Sequence, residues 1–62
     1  MEKIICDGLV LYRFDAPFYT WRGEKYIEYG TKEDLKTGYP TYRFKEYQLH
    51  ELIKLERLKI IS

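Results

Sequence analysis

Residues 18–30 read FYTWRGEKYIEYG, and how this stretch folds back on itself decides the architecture. Five aromatic side chains surround an Arg22-Gly23 pair. A glycine at a tight reversal between two β-prone runs predicts a hairpin with strands over residues 18–21 and 24–29. Successive side chains of a strand point to opposite faces, so Lys25, Ile27 and Tyr29 share one face and Glu24, Tyr26 and Glu28 the other. The first set is read as turned inward. The second, an aromatic between two carboxylates, is a face that water tolerates and a partner can use.

Working outward from this hairpin, a second one precedes it. EKIICDGLVLYRF (2–14) sets Asp7-Gly8 between two β-prone runs, and Asp-Gly is favoured in type I′ turns because both residues tolerate positive φ. The strands are predicted over residues 3–6 and 9–14. DAPF (15–18) then interrupts the ladder, since Pro17 has no amide hydrogen to donate and restricts Ala16 before it. A corner belongs there. On the other side, TKEDLKTG (31–38) changes character: Thr31 can cap a helix with Asp34 three residues on, and Gly38 suits the position after its end. A short helical turn over residues 32–37 follows, with a polar loop as the alternative. YPTYRF (39–44) returns to strand character, and Pro40 lies near its beginning, where a missing donor is easiest to tolerate.

KEYQLHELIKLERLKIIS (45–62) carries the clearest helical pattern, with Leu49, Leu52, Ile53, Leu55 and Leu58 at spacings of three and four. The stripe is too broad for one face. Either the helix continues and offers Leu55 and Leu58 to a second subunit, or it ends near Lys54 and RLKII (57–61) becomes a closing strand. The fold expected is a single α+β domain over residues 1–62: a small, bent antiparallel sheet of four to five strands, open or closed into an SH3-like barrel, with a short helical turn and a C-terminal helix. Phe14, Phe18, Ile27, Tyr29, Tyr42 and Phe44 are the expected core.

Composition bounds the function. The 62 residues carry a formal net charge of +1; residues 1–30 hold four basic and five acidic side chains, and residues 31–62 seven and five. Signs so interleaved supply few of the phosphate contacts that drive nucleic-acid binding. No apolar run approaches the length that crosses a bilayer, and the first residues lack a signal peptide's apolar stretch, so a cytoplasmic protein is expected. The single cysteine, Cys6, can form neither an internal disulfide nor a CxxC pair and reads as a small buried apolar residue. His50 is the sole histidine; on a helix it neighbours Glu46 and Lys54, a solvated setting rather than a triad. The acidic residues are spread singly and the glycines fall at turns, so no enzyme, metal site or cofactor is expected.

The aromatics are the remaining signal. Seven tyrosines and a tryptophan exceed what so small a core can bury with their polar atoms bonded. Tyr, Trp and Arg are the residue types enriched at protein interfaces. Tyr19, Trp21, Arg22, Glu24, Tyr26 and Glu28 are therefore the candidate protein-binding surface, and Leu55 and Leu58 candidate dimer contacts. A chain this short gains little net stability from one core, which favours a homodimer.

GEKYIEYG (23–30) and ELIKLERLKII (51–61) resemble segments of the small uracil-DNA glycosylase inhibitors of Bacillus phages. That resemblance implies a dimeric fold in which a hairpin, a short helix and a final strand pack together. It also implies a phage protein that blocks a host DNA-repair enzyme by occupying its DNA-binding cleft, with Tyr26, Glu28 and Tyr29 as the residues carried over by position. A second likeness is topological: the Asp-Gly hairpin, WRGEKYIEY (21–29), KTG (36–38) and a C-terminal helix starting near ELI (51–53) resemble the seven-kilodalton archaeal chromatin proteins. Those are SH3-like barrels that bind DNA on a sheet face, and the likeness implies Trp21, Tyr26 and Arg43 at a nucleic-acid surface. Of the two functions, a non-enzymatic module that inhibits a host protein by direct contact is the main expectation. Nucleic-acid binding is the alternative.

Overall fold

A computed structural model describes residues 2–62. The first hairpin joins β1 (Lys3–Cys6) to β2 (Leu9–Arg13), with Ile4 opposite Leu11 and Cys6 opposite Leu9. Asp7 and Gly8 both have positive φ, 49° and 81°, as a type I′ turn requires. After the Asp15–Pro17 corner come β3 (Phe18–Tyr19) and β4 (Lys25–Gly30). β4 pairs antiparallel with three strands: β2 at Tyr29–Gly30, β3 at Lys25–Tyr26, and β5 (Tyr42–Phe44) at Ile27–Tyr29. The Glu28 carbonyl accepts from the Phe14 amide and the Glu24 carbonyl from the Thr20 amide, both at 2.9 Å. Carbonyls four residues apart leave the same edge of a strand, so β2 and β3 behave as one strand bent at the Pro17 corner.

α1 (Lys32–Thr37) is the predicted short helix, with its capping box complete: the Asp34 amide donates to the Thr31 hydroxyl and the Thr31 amide to the Asp34 carboxylate. α2 (Glu46–Lys54) is followed by β6 (Leu58–Ile60), which pairs antiparallel with β1. Of the two readings of the tail, the closing strand is the one realised. The helix ends because Glu56 turns into left-handed backbone at φ 59°. The Arg57 amide then reaches the Leu52 carbonyl and the Glu56 amide that of Ile53, a Schellman pattern that satisfies two otherwise orphaned carbonyls.

The fold is thus α+β, an antiparallel sheet with two helices. Its outer strands β5 and β6 each pair with one neighbour, so the sheet stays open and the SH3-like closure does not form. Leu49 of α2 lies over Ile4, Leu11, Ile27, Tyr29 and Leu58, which form the core with it; Cys6, Tyr42, Phe44 and Leu52 pack around them. Leu58, expected at a dimer contact, is only 2% exposed; placing the residue on a strand rather than on the helix turns it into the protomer's own core. Phe14 and Phe18 correct the expected core as well. Phe18 stands opposite Tyr26, on the face away from α2, and both phenylalanines are half-buried. α1 covers one end of that second face: a Cβ built on Gly30 would lie 2.6 Å from the Asp34 Cβ and 2.9 Å from the Phe14 ring, so only glycine lets helix and strand approach this closely. No helix among the described residues is long and apolar enough to cross a membrane.

Candidate protein-binding surface

The loop between β3 and β4 is built by local hydrogen bonds. The Gly23 amide donates to the Thr20 carbonyl, the Thr20 amide to the Glu24 carbonyl and the Glu24 amide to the Thr20 hydroxyl. With Gly23 at φ 81°, the three residues Trp21, Arg22 and Gly23 form a type I turn closed by a left-handed bulge residue, a common three-residue hairpin loop. Its consequence is presentation. Trp21 is 87% exposed, and the Arg22 guanidinium lies 4.7 Å from the centre of its ring, within the range of a cation–π contact. Tyr19, 57% exposed, precedes them on β3.

The six predicted surface residues do not form one face. Tyr19 pairs with Lys25, and Phe18 with Tyr26. Tyr19 therefore projects on the α2 side, beyond the core, while Tyr26 and Glu28 lie on the opposite side. There they belong to a cross-strand ladder over β3, β4 and β5. The Phe18 and Tyr26 rings meet at 6.4 Å; the Arg43 guanidinium sits 4.0 Å from the Phe18 ring and donates to Glu28 at 2.9 Å. Lys45 lies 5.5 Å from the Tyr26 ring and donates to Glu24 at 2.7 Å, a bond that raises the Lys45 pKa. Glu24 and Glu28 thus pair their carboxylates, and Tyr26 its ring, within the chain. Tyr19, Trp21 and Arg22 are the part of the predicted surface left open.

Tyr29, the third residue carried over from the phage inhibitors, faces inward. Its hydroxyl donates to Glu2 at 2.6 Å, and burial, reinforced by that carboxylate, pushes its pKa up. Phe18 and Lys45, which complete the ladder, were not singled out from the sequence as partners of Tyr26. The only signal for Phe18 there is the hairpin register, which depends on where the loop closes; Lys45, which follows β5, lies outside that hairpin and has none.

Beside the core lies a groove of about 310 Å³ lined by Cys6, Leu9, Leu11, Tyr42, Phe44 and Leu52, with the Asp7–Arg57 pair at its rim. Cys6 is half-buried; burial first, and Asp7 second, raise its thiol pKa against the lowering effect of Arg57, which disfavours the reactive thiolate. Arg57 donates twice to Asp7, at 2.9 and 2.7 Å, so the Asp7 pKa is lowered and that of Arg57 raised. This ion pair joins the first hairpin's turn to the chain between α2 and β6. His50 is exposed on α2, and among the described residues no three His, Cys, Asp or Glu side chains are grouped to hold a metal ion. Compared with known protein families, characterised proteins and solved structures, the chain matches none.

Proposed function

We propose that the protein is a small non-enzymatic binding module that acts in the cytoplasm by direct contact with another protein, through the hairpin tip formed by Tyr19, Trp21 and Arg22. The observation that supports this reading is a tryptophan left 87% exposed on a loop that three hydrogen bonds hold in shape. A large apolar ring in water costs free energy unless something covers it. Trp, Tyr and Arg dominate interface hot spots, and a preordered loop loses little entropy when it docks. The competing reading, nucleic acid on the sheet face, has less support, because its phosphate contact Arg43 is already neutralised by Glu28 at 2.9 Å.

In its most specific form the partner is a host uracil-DNA glycosylase and the chain a phage or mobile-element inhibitor, following the resemblance of residues 23–30 and 51–61. Two measurements test these levels separately. Affinity-tagged protein should retain a partner from a bacterial lysate that Trp21→Ala does not retain, with the circular-dichroism spectrum of the variant unchanged. Equal retention by both proteins would refute the tip. Addition of the protein to a glycosylase assay should lower uracil release; an unaltered rate at excess protein removes the specific partner and leaves the binding reading standing.

A further inference from the structure

We infer that the free edge of β6 is a contact between two copies of this chain, paired antiparallel across a two-fold axis at Ile60. β6 is bonded on one side only, to β1. The Arg57 carbonyl accepts from the Asp7 amide and the Ile61 amide donates to the Lys3 carbonyl, both at 2.9 Å. Backbone groups of an antiparallel strand alternate between its two edges, so the amides and carbonyls of Leu58 and Ile60 are turned to the outer edge. A second β6 run antiparallel to the first offers the same donors and acceptors in mirror order, which makes the edge complementary to itself.

Charge selects the register. Centred on Lys59, the pairing would set two ammonium groups opposite each other, and like charges in that position destabilise a strand pair. Centred on Ile60, it sets Lys59 opposite Ile61 of the second copy and Ile60 opposite its own counterpart. A two-fold axis normal to the sheet leaves both α2 helices on one side. The apolar flank there, Ile53 and the 59% exposed Ile60, lines a shallow cavity of about 530 Å³ together with Glu56, Leu58 and Lys59. The same residues of the second copy fill it. Leu55, 60% exposed, lines a different groove with Phe44, Tyr47 and Leu52, and takes no part in this contact. The inference is independent of the hairpin tip, and either can fail without the other.

Sedimentation velocity over a concentration series tests the contact. The wild-type chain should pass from monomer to dimer as concentration rises. Ile60→Lys, which brings two ammonium groups together at the axis, should weaken association at least tenfold, and Leu55→Lys should leave it unchanged. Amide exchange gives a readout that needs no variant: the outward Ile60 N–H should exchange more slowly as concentration rises. A monomer throughout, association lost in Leu55→Lys but kept in Ile60→Lys, or Ile60 exchange independent of concentration would each overturn the inference.

Discussion

Glu56 occupies left-handed backbone, φ 59°, that glycine takes without penalty and a residue with a Cβ at a cost of about 1–2 kcal/mol. Helix C-termini usually mark this position with glycine; here the mark is missing, and the end of α2 was therefore not decidable from the leucine spacing. Glu56→Gly should raise stability by about 0.5–1 kcal/mol, the relief of strain exceeding the added freedom of the unfolded chain, as read from urea unfolding. The opposite holds at the start of α1. Thr31 and Asp34 announce their cap in the sequence because its chemistry is local. Asp34 also accepts from the Thr41 hydroxyl at 2.7 Å, and this bond, followed by that from the Thr31 amide, holds its pKa below the ordinary 3.8. A carboxylate so depressed contributes stability that is present above the unfolded value and is lost as pH falls through the folded one. The difference in thermal midpoint between wild type and Asp34→Asn should accordingly be constant near neutrality and shrink below about pH 3.8; a difference independent of pH would show that the charge plays no part.

At the scale of elements, β4 organises the molecule. Its alternation was legible: Ile27 and Tyr29 are buried, and Tyr26 and Glu28 lie opposite them. Its hairpin with β3 was legible as well; its pairings with β2 and β5 were not, because they depend on contacts distant in sequence, and aromatic character alone did not tell Phe18 from Phe44. Phe44 pairs with Ile27 and meets the Tyr29 ring at 5.9 Å; Phe18 pairs with Tyr26 on the other side. The same ignorance of register merged Tyr19 and Tyr26 into one surface. The approach of α1 to β4 gives a direct check on the packing. Gly30→Ala would drive a methyl group to 2.6 Å from the Asp34 Cβ, and overpacking of this kind costs about 1–3 kcal/mol. A thermal midpoint lowered by several degrees is the expected result, and an unchanged midpoint would mean that α1 is not seated there.

The whole molecule is a thin slab, with principal extents of 32 × 27 × 16 Å. One nine-residue helix covers one face of the sheet and a six-residue helix only an end of the other. Among the described residues, six form the core, and ten large apolar side chains remain exposed. Short length and abundant aromatics made a small core and a surplus of exposed rings, Tyr19 and Trp21 among them, legible in the sequence; that Tyr26 is instead engaged within the chain followed only from the ladder of Arg43 and Lys45. In the proposed function, Trp21 serves a partner and not the fold. Thermal unfolding and lysate retention measured together on wild type and Trp21→Ala test it most directly. Stability altered by no more than about 0.5 kcal/mol, as for an ordinary surface change, is expected together with loss of the retained partner. A variant that unfolds, or one that retains the same proteins as the wild type, would contradict it.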